Sequence, residues 1–133
     1  MSGLLYQGGN MILGVGIDIV HIDRMKRWKN IPGIFERFFH ADEIREAESR
    51  GPAEVMSLAA RFAAKEAFGK ALGTGLRSIY LKDIHVMNNI RGKPGIVTYG
   101  SARQAMMRVG GRTVHISLSH DHESAVAVAV IEG

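Results

Sequence analysis

Hydrophobic and polar positions change period several times along the chain, and each change marks an element. "MILGVGIDIV" (Met11–Val20) is apolar, β-branched and interrupted by glycine, which predicts a buried strand. Its period of two puts Val15, Ile17 and Ile19 on one face and Gly14, Gly16 and Asp18 on the other. "HIDRMKRWKN" predicts a short basic helix, broken near Pro32–Gly33, and a second helix is expected from Asp42 to Ser49. Pro52 restarts a long helix ending near Leu72, with Gly73 placed as its C′ residue. "IHVMNNIRGKPGIVTYG" predicts a hairpin turning on Gly92–Lys93–Pro94–Gly95. "SARQAMMRVGG" predicts a helix with Ser101 as N-cap and Gly110 or Gly111 beyond its end. "TVHISLSHDHESAVAVAVIE" alternates throughout and predicts two strands turning at Asp121–Glu123. With no repeat, low-complexity tract or linker, the pattern predicts one α+β domain over residues 11–133, after a loose extension at 1–10.

The long helix poses the first chemical question. In "RFAAKEAFGKALGTG", winding at about 100° per residue places Ala60, Ala63, Ala64, Ala67, Phe68, Ala71 and Leu72 on a core-facing stripe. Glu66 falls outside it. Its neighbours on the other arc are Phe62, Gly69, Lys70 and Gly73, so the glycines are expected to leave a bare face suited to a ligand.

Composition narrows the chemistry. The 133 residues suffice for one core, and 46% apolar with 23% charged residues is ordinary globular composition. No run approaches a membrane span, and the start has neither a basic n-region nor an apolar h-region. A cytoplasmic location without membrane contact is expected. Without cysteine, a metal must be held by oxygen or imidazole. A net charge of +4 and a pI near 9.7 suggest an anionic partner: a phosphorylated small molecule, an acidic protein or a nucleic acid.

Two isolated carboxylates stand out. Asp18 projects from a glycine-flattened strand face, where an ordinary strand-end pair with a nearby Lys or Arg would also explain it. Glu66 has Lys70 at i+4, and the two could equally form a surface pair. Taken together, two carboxylates beside glycines suit a hard cation such as Mg²⁺, and a lysine on the same face would meet phosphate. In "HISLSH", His115, Ser117 and Ser119 face one way and Val114, Ile116 and Leu118 the other; the polar set lines a surface that solvent alone could occupy. His120 and His122 are set aside as turn residues, and "RGKPG" is read as turn chemistry. The basic helix offers Arg24, Lys26, Arg27 and Lys29 around Met25 and Trp28, a solvated face or, with Met25 or Trp28 exposed, a docking surface for an acidic partner.

"GVGIDIVHIDRM", "RFAAKEAFGKALGTG" and "VHISLSHDHESAVAVAV" closely resemble the three signatures of the holo-acyl-carrier-protein synthases, the small bacterial 4′-phosphopantetheinyl transferases. The resemblance runs from about Met11 to the end. It implies a single-domain fold in which an antiparallel sheet packs with a long helix and shorter helices. It also implies Mg²⁺-dependent transfer of phosphopantetheine from coenzyme A to a serine of apo acyl carrier protein, releasing adenosine 3′,5′-bisphosphate. Carried onto this chain, Asp18 and Glu66 resemble the metal ligands, and Lys70 the residue meeting phosphate charge. Gly73, His115, Ser117 and Ser119 resemble coenzyme A contacts. Arg24, Arg27 and Trp28 resemble the docking surface for the acidic carrier. Glu66, directly or through a metal-bound water, is the preferred base for the serine, with Asp18 less easily judged. A homotrimer with sites between subunits is implied too. The alternative within enzymes is a transferase of the same superfamily for the carrier domains of other synthases; such broader-specificity relatives resemble two fused copies, whereas this chain has one. A nucleic-acid-binding module is the alternative from another class, but it calls for exposed aromatics on a strand platform, where the last hairpin offers Ser, His, Ala and Val.

Overall fold

The computed structural model describes residues 10–133, so the expected extension lies, all but Asn10, outside the described residues. In chain order the elements are β1 (Ile12–His21), α1 (Ile22–Lys29), α2 (Ile34–Phe38), α3 (Ala41–Glu48), α4 (Glu54–Leu72), β2 (Ile84–Asn88), β3 (Pro94–Thr98), α5 (Gly100–Val109), β4 (Thr113–His120) and β5 (Ser124–Glu132). The expected α+β organisation is present: an antiparallel sheet in the order β1-β5-β4 and a two-stranded sheet β2-β3, both against α4.

Small residues let the main sheet and α4 approach closely. A Cβ on Gly14 would lie 1.8 Å from the Ala71 carbonyl oxygen, and one on Gly16 2.0 Å from that of Ala67. Only glycine fits there. On β5 the residues facing α4 are Ala125, Ala127, Ala129 and Ile131, all fully buried. Helix α4 ends as expected, with Gly73 left-handed at φ 83°.

Several expectations are corrected. β1 is not buried on both sides: Val15, Ile17 and Ile19 are 60%, 61% and 57% exposed. The sequence "AVAVAV" shows the same inversion, with alanines inward and the larger valines half-buried on the outer face. The five-residue α2 was not anticipated, being too short for periodicity to register. The hairpin loop is 89–93, and Pro94 and Gly95 belong to β3; Asn89 Oδ1 accepts the Arg91 and Lys93 amides at 2.9 Å each. Ser101 is not an N-cap but sits inside α5, because Asp83 Oδ2 accepts both its amide (2.9 Å) and its hydroxyl (2.6 Å) and thereby serves the helix start from outside.

Candidate active site

Asp18, Glu66 and Lys70 meet where β1 crosses α4. Asp18 lies opposite Ala127 in the sheet, on the face turned towards the helix. Lys70 reaches it from α4: Nζ lies 3.0 Å from Asp18 Oδ1 and donates to the Ile17 carbonyl at 3.0 Å. The Asp18 side chain is 18% exposed and that of Lys70 54%, so the pair opens to solvent on the lysine side. Glu66, one turn earlier on α4, is half-buried. Burial pushes its carboxyl above the ordinary glutamate value, and the Asp18 carboxylate pushes it further; Arg24 and Lys70 pull the other way.

Arg24 is thus at the site. Its guanidinium lies 4.8 Å from the Trp28 ring centre and 5.2 Å from that of Phe62, at the seam between α1 and α4. Two oxygen-donor side chains that repel each other beside cations are a fitting donor set for a hard divalent ion, which would relieve the repulsion.

Other expected residues are placed differently. Phe62 and Gly69 are not part of a bare face. Phe62 is buried among Trp28, Phe38 and Phe39. A Cβ on Gly69 would meet Leu76 Cδ2 at 2.8 Å and the Gly75 carbonyl carbon at 2.9 Å. The chain after α4 folds back onto this glycine, with the Gly75 amide donating to the Gly69 carbonyl at 2.9 Å. Gly73 has open space around it. On α1, Met25 is fully buried and Trp28 half-buried against Phe38, leaving Arg24 and Arg27 as the exposed residues of the docking set. His115, Ser117 and Ser119 are exposed on the outer face of the sheet, opposite to the face carrying Asp18. His115 Nε2 lies 2.9 Å from Glu132 Oε1.

Sequence reasoning missed two features. One is a cavity of about 160 Å³ lined by Arg50, Ser57, Arg61, Asn88, Leu118 and His120 among others. The cations come from separate elements, so no local motif announces them; His120, set aside as a turn residue, belongs to this wall. The other is Lys65, fully buried, whose Nζ meets Glu43 Oε1 at 2.7 Å, Leu81 O at 2.8 Å and Phe38 O at 3.1 Å. Lys65 directly precedes Glu66, and its cage helps fix the rotation of α4 that turns Glu66 towards Asp18.

The family profile described as the 4′-phosphopantetheinyl transferase superfamily matches residues 14–129, which include all three site residues. The chain belongs to this superfamily. Among its relatives, a holo-(acyl-carrier-protein) synthase of Treponema denticola is 50% identical over 123 residues, covering 92% of this chain and 100% of that protein. The crystal structure of the holo-(acyl-carrier-protein) synthase of Neisseria meningitidis superposes with a TM-score of 0.84 at 33% identity, over 92% of this chain and 100% of the other. That of Bacillus anthracis, in complex with CoA (3′,5′-ADP), gives 0.78 at 37% identity over 92% and 98%. The chain is therefore an enzyme of the phosphopantetheinyl transferase class.

Proposed function

We propose that this transferase moves 4′-phosphopantetheine from coenzyme A to a serine of an acidic apo acyl carrier protein in the cytoplasm, leaving adenosine 3′,5′-bisphosphate, with Mg²⁺ held by Asp18 and Glu66. The observation that carries the reading is Lys70 Nζ 3.0 Å from Asp18 Oδ1 with Glu66 beside them, its carboxyl raised by burial and then by the Asp18 carboxylate. The coenzyme A complexes of the Bacillus anthracis and Helicobacter pylori relatives support the donor. No helix among the described residues is long and apolar enough to cross a membrane.

Bound Mg²⁺ would supply charge neutralisation at the pyrophosphate. Lys70 turns its exposed ammonium to a phosphate oxygen and stabilises the charge that grows as the serine oxygen bonds to phosphorus and the pyrophosphate bridge breaks. Glu66, which bound Mg²⁺ would keep as the carboxylate, is the group best suited to accept the serine proton. Arg24 and Arg27, with Trp28 beneath, steer the acidic carrier to this seam. Arg50, Arg61 and His120 offer the cavity for the nucleotide phosphate, and Gly73 leaves room along the pantetheine arm.

His115, Ser117 and Ser119 reach such a substrate only from a neighbouring copy, because their face is turned away from Asp18. The same face is apolar at Val15, Ile17 and Ile19, a patch that a soluble monomer rarely leaves uncovered. A homotrimer with shared sites satisfies both facts. Ile17→Lys is expected to release monomers in sedimentation; an unchanged assembly would place the contact elsewhere.

Mass spectrometry of apo carrier protein incubated with this enzyme, coenzyme A and Mg²⁺ tests the activity. The phosphopantetheine adduct is expected, and its absence with a folded carrier would refute the assignment.

A further inference from the structure

A second polar cluster lies outside the carboxylate site. One ring nitrogen each of His40 and His85 and a carboxylate oxygen of Asp42 fall within 4.8 Å of one another. His40 is the N-cap of α3, Asp42 lies in its first turn, and His85 is the second residue of β2, opposite Val97. His85 is buried between Ile84 and Val86, His40 is half-buried and Asp42 exposed, so the cluster opens outward over a fixed floor. The imidazole centres are 4.8 Å apart with planes 22° from parallel.

The two rings are stacked, so one ion takes a nitrogen from each only after the rings turn edge-on to it; the donor atoms start within 4.8 Å of one another, against about 3.3 Å between ligand atoms on one tetrahedral ion. The donor set is two imidazoles and one carboxylate, which suits Zn²⁺ and its borderline neighbours and not Mg²⁺. We propose that His40, Asp42 and His85 bind a borderline divalent metal ion such as Zn²⁺, pinning the start of α3 to β2.

Two neighbours set the terms. Arg45 hydrogen-bonds to Asp42 Oδ1, leaving Oδ2, 3.6 Å from His40 Nδ1, as the oxygen turned to the cluster. His40 Nδ1 accepts the Asp42 amide at 3.0 Å, completing a capping box in which Glu43 accepts the His40 amide at 2.9 Å. A metal on either nitrogen of His40 removes that acceptor: on Nδ1 it takes the lone pair, and on Nε2 it moves the ring proton to Nδ1. Metal binding therefore exchanges half of the capping box for ligation, and the Asp42 amide reports the exchange.

The test is titration of the full chain with ZnCl₂ in millimolar Mg²⁺, which saturates hard oxygen sites, followed by calorimetry and by ¹⁵N spectra of the backbone and histidine rings. One saturable ion per chain is expected, with shifts of the His40 and His85 rings and loss of the hydrogen-bonded position of the Asp42 amide. His40→Ser keeps a capping hydroxyl and should abolish this ion while leaving the melting temperature without metal within a few degrees; Asp42→Asn should weaken it at least tenfold. Undiminished binding in His40→Ser, or ring shifts confined to other histidines, would overturn the proposal. So would no saturable binding.

Discussion

Helix α4 carries two lysines five positions apart, each paired with a carboxylate from another element, and their surroundings differ completely. Lys65 is fully buried and its three donors meet three acceptors from three separate segments. Glu43 is equally buried and uses its second oxygen on the Val86 amide at 3.0 Å. Burial pulls Lys65 down to about 8, against the opposing pull of Glu43. Lys70 is more than half exposed, and its partner Asp18 faces a second carboxylate. The first pair is closed and satisfied, so it can only hold elements in place. The second stays open to solvent beside a further carboxylate and Arg24, groups that a phosphate-bearing substrate with a cation can engage.

This contrast can be broken by substitution, in order of the stability change expected. Lys65→Met leaves Glu43 buried without its cation and should cost about 3–5 kcal/mol in urea unfolding; Lys65→Met/Glu43→Leu should recover much of it, and a single-variant cost below about 1 kcal/mol would show the pair is not holding a buried charge. Gly69→Leu, next to Lys70 at the open end, drives carbon into Leu76 and the Gly75 backbone and should cost about 1–3 kcal/mol. A melting temperature at or above wild type would restore the bare-face expectation. Lys70→Ala should change stability by under about 1 kcal/mol, as exposed pairs do, while transfer falls by about 10² or more. Retained turnover would make Lys70 a surface pair and nothing more.

Much of this contrast was legible in the sequence, and the limits are specific. Asp18, Glu66 and Lys70 were visible because polar groups interrupt a strand and a helix whose periods are clear. Gly14 and Gly16 were read as flattening a face, and they do so because α4 passes within contact of their backbone. Lys65 escaped because a charged residue next to Glu66 reads as solvent-facing until Glu43, Phe38 and Leu81 close around it, and those contacts span 16 to 27 positions. Gly69 was misjudged for a related reason: helical periodicity describes α4 alone, and the segment folding back at Gly75–Leu76 lies beyond it. The outer face of β1 was misread because an apolar alternation is the same whether that face meets the core or lies exposed.

The central claim is that Asp18 and Glu66 share one divalent ion, and the titration of the Glu66 carboxyl tests it most directly. Because its native value is raised, the native state binds more protons than the unfolded chain just above the ordinary glutamate range. The resulting stabilisation is present at low pH and is lost as pH rises through the raised value; bound Mg²⁺ should reverse this by favouring the carboxylate. Carboxyl ¹³C shifts followed against pH should show Glu66 titrating above an ordinary glutamate without Mg²⁺. The midpoint should fall when Mg²⁺ is added, and without metal it should fall in Asp18→Asn. A Glu66 that titrates as an ordinary glutamate, or one raised but indifferent to both Mg²⁺ and Asp18→Asn, would contradict the shared site.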